Sequence, residues 1–167
     1  MSKKYYLAYG SNLSMRQMAF RCPDAVYVGT AKIADYQLLF KGSLTGSYLT
    51  IEKKRGRKVP VLVWEISEAD EQRLDRYEGY PTFYYKKEMR LPVKSLFTGE
   101  EKEVDAIVYV MHEKHKKGCP SHDYYEVCWE GYHRFCFDEE ILQQALIDSV
   151  GKLKAEAMLR EVQRYEH

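Results

Sequence analysis

The sequence predicts an α+β fold built on a small, mostly antiparallel, closed or nearly closed β-sheet flanked by helices. Two observations carry this. About six strand-like segments with period-two apolar alternation are bounded by glycine and proline turns, and about three to four helical stretches do not alternate strictly with them. In addition, residues 103–112 are apolar on both faces, with Val104, Ala106, Val108 and Val110 opposed to Ile107, Tyr109 and Met111. A strand of that kind is central and covered on both sides.

The elements follow in order. Residues 4–8 form a short aromatic strand that stops at Gly10-Ser11-Asn12, and residues 14–21 make two helical turns closed off by Pro23. Residues 26–40 are strand-like, with Gly29 and Asp35 as interruptions. Residues 48–52 and 59–66 then flank the basic run Lys53-Lys54-Arg55-Gly56-Arg57-Lys58 and predict a hairpin with a solvated tip. The best-defined helix starts at Ser67 as N-cap, with Asp70 completing a weak capping box and Glu68, Asp70 and Glu71 facing the positive end of the dipole. It runs to Glu78 and stops at Gly79, with Pro81 just beyond. A second hairpin joins residues 84–96 to 103–112 through Thr98-Gly99. After a polar loop over 112–122, Ser121 or Asp123 caps one helix and Asp138 caps another that carries Ile141, Leu142, Ala145, Leu146 and Ile147. Gly151 divides a domain over 1–151 from a C-terminal helical extension over 152–167, whose apolar residues Leu153, Leu159 and Val162 would serve packing or homodimer contacts.

Composition narrows the function. A net charge of +1 over 167 residues lacks the sustained basic field of a nucleic-acid or membrane-surface binder. No apolar signal core follows Lys3 and Lys4, and no run approaches the roughly 18 apolar residues of a membrane span. Cys22, Cys119, Cys128 and Cys136 form no CxxC pair and read as free thiols, so the expected location is the cytoplasm. Aromatic residues make 14% of the chain, and fifteen of them are tyrosines. Such residues suit pleated strands and equally suit the wall of a cavity that holds a polar ligand.

Two features carry chemistry. Glu78 lies four residues after Leu74, on the face of its helix that Leu74 marks as buried, and in the last turn where the dipole disfavours a carboxylate. Burial and dipole both raise a carboxyl pKa, which would fit Glu78 for proton transfer near neutrality. The plain alternative is a surface glutamate at a fraying helix end. Tyr9-Gly10-Ser11-Asn12-Leu13, at a strand end, allows backbone N–H groups to converge on an anion, or else forms an ordinary turn.

These segments and one more share a resemblance. Tyr6-Leu7-Ala8-Tyr9-Gly10-Ser11-Asn12-Leu13 resembles the YGSN loop of the γ-glutamyl cyclotransferase (AIG2-like) family, and Leu74-Asp75-Arg76-Tyr77-Glu78-Gly79-Tyr80-Pro81, followed by Phe83-Tyr84, resembles its LDxxEG signature and the aromatic residue after it. Pro120-Ser121-His122-Asp123-Tyr124 is similar to its PSxxY segment, with Gly131 where the next helix carries a glycine. The resemblance implies a small β-barrel flanked by helices, with one cavity and a cofactor-independent cyclisation of a γ-glutamyl group to 5-oxoproline. It makes Glu78 the general base and then acid, assigns substrate binding to Tyr9, Gly10, Ser11, Asn12 and Leu13, and gives hydroxyl contacts to Tyr124 and to Tyr84, with Tyr85 as the alternative. Gly79-Tyr80-Pro81-Thr82-Phe83 lacks the second glycine of the animal glutathione-pathway branch, and the strand at 59–64 lacks the family's glycine. Both departures bear on the acceptor, which leaves the natural γ-glutamyl compound open.

Two other readings stand beside this one. His112, His115, Cys119 and His122 lie close enough in sequence to ligate zinc, although their spacing matches no common zinc module and three lysines crowd the loop. The cavity would alternatively serve as a catalytically silent small-molecule-binding or scaffolding module of the same fold.

Overall fold

The computed structural model describes residues 3–43 and 45–164. Six strands, β1 (Lys4–Ala8), β2 (Val26–Ser43), β3 (Gly46–Ile66), β4 (Tyr84–Ser95), β5 (Glu101–Met111) and β6 (Lys116–Lys117), share one sheet in the order β3-β1-β5-β4-β2-β6. Strand β2 also pairs with β3, which closes the first five into a barrel and leaves β6 attached to β2. All pairs are antiparallel except β1 with β5, where Tyr5 faces Ala106 and Tyr6 faces Ile107 in parallel. The sheet is therefore closed and mixed, with antiparallel pairs dominant.

Strand β5 has the expected central place. From Ala106 to Met111 every residue is buried, and β1 and β4 flank it. The predicted hairpin around the basic run does not form. Residues on both sides of that run pair with the same strand: Ala34 faces Lys58 while Tyr36 faces Lys53. Because one partner serves both halves, β3 continues through the run, and residues 54–57 bulge out opposite Asp35 alone. Asp35 takes a left-handed conformation (φ 60°), and its Oδ1 accepts the Gly56 N–H at 2.9 Å. The basic residues stay exposed, so the solvated tip is a bulge and not a turn.

Five α-helices surround the barrel: α1 (Met15–Arg21), α2 (Glu68–Tyr77), α3 (His122–Arg134), α4 (Glu139–Val150) and α5 (Lys152–Arg164). Four of their starts are capped, by Ser67, Ser121 and Asp138 as the sequence suggests and by Ser14, which precedes α1 and is not part of it, and Ser67 with Asp70 forms the full reciprocal capping box. The last helix packs by Ala155, Met158 and Val162, whereas Leu153 is 84% exposed. Val162 of the predicted stripe is buried and Leu159 packs against the core, so Leu153 alone departs from it, and residues 165–167 of the predicted extension lie outside the described residues. Among the described residues no helix is long and apolar enough to cross a membrane.

One contact between a helix and a turn positions the site. A single 3-10 turn, Ser11–Leu13, follows β1, and the fully buried Leu13 presses on α3 at Gly131. A methyl group on Gly131 would lie 2.4 Å from Leu13 Cβ, so only glycine permits this approach. Gly131→Ala is expected to destabilise the fold by about 1–3 kcal/mol through overpacking, lowering Tm by roughly 2–4 °C per kcal/mol in a thermal melt.

Candidate active site

Two chain turns face each other across the barrel mouth. The first is the end of β1. The chain leaves the sheet after Ala8, and Ser11–Leu13 coils into its 3-10 turn with Leu13 N–H bonded to Gly10 O at 3.0 Å. The N–H groups of Ser11 and Asn12 precede the first bond of the turn and meet no acceptor among the described residues. Asn12, only 3% exposed, fixes the turn in place. Its Nδ2 donates to Tyr6 Oη at 2.9 Å, its Oδ1 accepts from Arg21 Nη1 at 2.5 Å, and its carbonyl accepts from Trp64 Nε1 at 3.0 Å.

The second turn ends α2. Glu78 is the C-cap, and its N–H reaches Leu74 O at 2.8 Å. Gly79 follows in the left-handed region (φ 63°). The N–H of Gly79 bonds to Arg76 O at 3.2 Å and that of Tyr80 to Asp75 O at 2.8 Å, the paired closure of a Schellman motif. The helix therefore stops where its sequence predicts, and with Leu74 fully buried beneath it, Glu78 is directed into the barrel.

Between the turns lies a cavity of about 370 Å³ lined by Tyr6, Tyr9, Gly10, Ser11, Asn12, Tyr48, Tyr77, Glu78, Tyr84, Tyr109 and Tyr124, among others. Burial pushes the Glu78 carboxyl up to about 7, opposed only by the positive charge of Arg21. The residue counts as half-buried because the cavity reaches it, while protein encloses its other sides. Burial likewise holds the hydroxyls of Tyr6, Tyr9, Tyr84 and Tyr124 well above the usual tyrosine range, so they stay neutral. These hydroxyls add no charge of their own, and Arg76 is the cation among the lining residues.

Of the residues singled out from sequence, Glu78, Tyr9, Gly10, Ser11, Asn12, Tyr84 and Tyr124 meet in this cavity. Leu13 does not: its side chain is buried against Gly131 and holds the turn from behind. Tyr84 and not Tyr85 faces the cavity, since Tyr85 is turned outward and donates its hydroxyl to Glu113. Tyr84 donates to Leu49 O at 2.9 Å and Tyr124 accepts from Leu49 N–H at 3.0 Å, so the two rings bracket one residue of β3. Tyr9 donates to Tyr109 O at 2.6 Å.

Sequence reasoning did not single out Tyr6, Tyr48, Tyr77, Tyr109 or Arg21. Strand alternation places Tyr6 and Tyr9 on opposite faces, and both reach the cavity because the chain turns out of the sheet after Ala8. Only the high tyrosine content hinted at such a wall.

The zinc alternative fails on geometry. His112 Nε2 sits 2.7 Å from Pro81 O, and the His115 ring packs on Phe83 with centroids 4.6 Å apart. His122 pairs with Glu161 at 3.0 Å, and Cys119 Sγ lies 3.5 Å from Met158 Sδ. The four side chains serve separate partners, and no group of three or more His, Cys, Asp and Glu converges among the described residues.

Comparison with known proteins bears on the fold and the family. A solved gamma-glutamyl cyclotransferase superposes with a TM-score of 0.72 at 24% identity, over 96% of this chain and 99% of that one, and so shares the fold. The crystal structure of an uncharacterized protein from Homo sapiens gives a TM-score of 0.71 at 25% identity, over 87% of each chain. In sequence, the gamma-glutamylcyclotransferase of Mus musculus is 30% identical over 133 residues, which is 75% of this chain and 68% of the mouse protein. That of Bos taurus is 32% identical over 114 residues, 64% of this chain, and the match spans only 58% of the bovine protein's length. The family model for gamma-glutamyl cyclotransferase, AIG2-like, matches residues 6–131, a span that holds both facing turns and the glycine beneath Leu13. The chain belongs to the gamma-glutamyl cyclotransferase, AIG2-like family.

Proposed function

We propose that the protein cyclises a γ-glutamyl amine, amino acid or peptide to 5-oxoproline and releases the amine, with Glu78 as general base and then general acid. The observation that carries this reading is a carboxyl poised at about 7, facing the open N–H groups of the Ser11–Leu13 turn across a tyrosine-lined cavity. A group with that pKa gives and takes a proton with little cost at neutral pH.

The chemistry follows from two protons. The substrate's α-ammonium gives one to the Glu78 carboxylate, and the freed amine attacks the γ-carbonyl carbon to close a five-membered ring. The carbonyl oxygen takes the electron pair, and the N–H groups of Ser11 and Asn12 are the donors suited to that oxyanion. Glu78, now a carboxylic acid, gives its proton to the leaving nitrogen as the old C–N bond breaks and the carbonyl re-forms. Its carboxylate then takes the second proton that the ring nitrogen sheds on becoming the lactam N–H, and that proton departs with the released amine as its ammonium. Nucleophile and electrophile belong to one molecule, so the protein has mainly to hold the folded-back conformer, and no step calls on a metal or cofactor. Tyr84, which donates to Leu49 O, keeps lone pairs to accept a donor on the substrate, while Tyr124 accepts from Leu49 N–H and is hydrogen-bonded to Cys128 as well.

A panel of γ-glutamyl amino acids, amines and peptides, assayed for 5-oxoproline release, tests the reading directly. Glu78→Gln is expected to lower kcat by about 10²- to 10⁴-fold, with substrate binding and fold largely kept. Normal turnover by that variant, or no cyclisation of any panel member by the wild type, would overturn the assignment.

A second prediction concerns stability. Folding raises the Glu78 pKa from 4.5 to about 7, so the native state binds the proton more tightly than the unfolded state does. Its contribution is fully present below the unfolded value and is lost as pH rises through about 7. Wild type should therefore lose up to about 3 kcal/mol relative to Glu78→Gln between acid and neutral pH. Denaturant melts of both proteins across this range provide the measurement, and parallel curves would count against a buried, tuned carboxyl.

A further inference from the structure

We propose that Arg21 is a positioning residue for this reaction, clamping the Ser11–Leu13 turn to the last turn of α2 and thereby holding Glu78 at its working place opposite the cradle. The proposal rests on the reading of Glu78 as acid and base. Arg21 stands in the last turn of α1, half-buried, and does not line the cavity itself. Its Nη1 donates to Asn12 Oδ1 at 2.5 Å, and its guanidinium carbon lies 3.6 Å from the centroid of the Tyr77 ring. Asn12 belongs to the cradle, and Tyr77 immediately precedes Glu78. One side chain thus joins the two turns that must face each other.

At the same end of α2 the Tyr77 hydroxyl also bonds with the Ser11 side chain, so Arg21 braces from behind a contact that the two turns make directly, and further contacts lie at the other end of α2. There Ser67 Oγ donates to Asp24 Oδ2 at 2.9 Å, and Asp24 N–H reaches Asp70 Oδ1 at 3.5 Å. Those bonds hold the start of α2 against the segment after α1, and Arg21 holds its last turn against the Ser11–Leu13 turn. A guanidinium is suited to the task because its plane donates at the edge while its face lies on the aromatic ring. An ammonium is compact and lacks that planar fork.

Arg21 also sets the local charge. Tyr6 on β1, Tyr9 just beyond it, Tyr77 on α2 and Tyr84 on β4 interact with Glu78, and burial keeps all four hydroxyls neutral. Among the groups acting on the Glu78 carboxyl, only Arg21 carries charge, and it favours the carboxylate. Losing it therefore moves the Glu78 titration to higher pH, and with it the acid limb of kcat/KM, since the attacking step needs the carboxylate.

Arg21→Met and Arg21→Lys in the full chain test this. Glu78 is titrated by carboxyl ¹³C NMR, with its resonance identified by its absence in Glu78→Gln, and turnover is followed across pH on a γ-glutamyl compound that the wild type accepts. Arg21→Met should titrate at higher pH and lose on the order of 10²-fold in kcat, with KM less affected. Arg21→Lys should restore most of the titration, because it keeps the charge, while recovering only part of kcat. An unchanged titration and kcat in Arg21→Met, or a full recovery of kcat by lysine, would overturn the proposal. If Arg21→Met fails to fold, Arg21→Lys decides by whether kcat falls while the titration stays. If no γ-glutamyl compound turns over even in wild type, the reaction assignment fails, whereas the titrations still decide whether Arg21 acts on Glu78.

Discussion

The place where α2 stops governs the rest of the site. Each helical residue turns the side chain by about 100°, so ending the helix one residue earlier or later would swing the carboxylate off the cavity. The stop is set by backbone chemistry: Gly79 takes the left-handed conformation, and the N–H groups of Gly79 and Tyr80 reach back to Arg76 and Asp75. Leu74 supplies the rotational setting, since burying it leaves Glu78, one turn on, facing inward. A fully buried leucine side chain contributes about 1.5–3 kcal/mol, enough to hold the helix in that rotation. The cost of keeping a carboxyl in the resulting enclosure appears as its raised pKa.

The facing turn depends on a different device. A three-residue 3-10 turn has little stability of its own, and Ser11–Leu13 is held by what surrounds it. Leu13 wedges against Gly131 from below, while Asn12 spends its side chain on Tyr6 and Arg21 and its carbonyl on Trp64. This explains why asparagine suits the position. Its amide donates to one partner and accepts from another at the same time, which neither aspartate nor a hydroxyl matches in that geometry. The consequence is functional: with the side chain committed to the frame, backbone N–H groups are left as the turn's free donors, and these are rigidly placed.

Much of the architecture was legible in the sequence because it rests on local rules. Capping residues, the glycine stop after Glu78, the two-sided apolar pattern of β5 and the turn at Gly99 each act over a few residues and were read correctly. The misreadings were of another kind. The basic run looked like a hairpin tip because nothing local says that segments on either side of it pair with a single strand. Leu153 looked core-facing, whereas packing against the other helices selected the stripe of Ala155, Met158 and Val162. In the site, the residues found were mostly those next to turn and cap signals; Tyr48 from β3, Tyr109 from β5 and Arg21 from α1 were missed because they come from other elements, and Tyr6 and Tyr77 because nothing local distinguished them from other tyrosines. Barrel closure brings these together, and closure leaves no mark at any one position.

The tyrosine wall completes the physical picture. A cavity meant to shift protons near neutrality must be polar enough to hold a zwitterionic group yet hold few fixed charges that would bias its acid. Tyrosine meets both needs, because burial raises its pKa and keeps it neutral while its hydroxyl still donates and accepts. Here the hydroxyls of Tyr9 and Tyr84 donate to backbone carbonyls and that of Tyr124 accepts a backbone N–H, so their remaining valences point in fixed senses. Aspartate, lysine or histidine in those places would bring a second titration close to that of Glu78 and couple to it. Although Arg76 also lines the cavity, the proton affinity of the carboxyl is set by enclosure and by the charge of Arg21 behind the wall. That arrangement lets one glutamate serve in both halves of a proton shuttle without a second acid to hand the proton to.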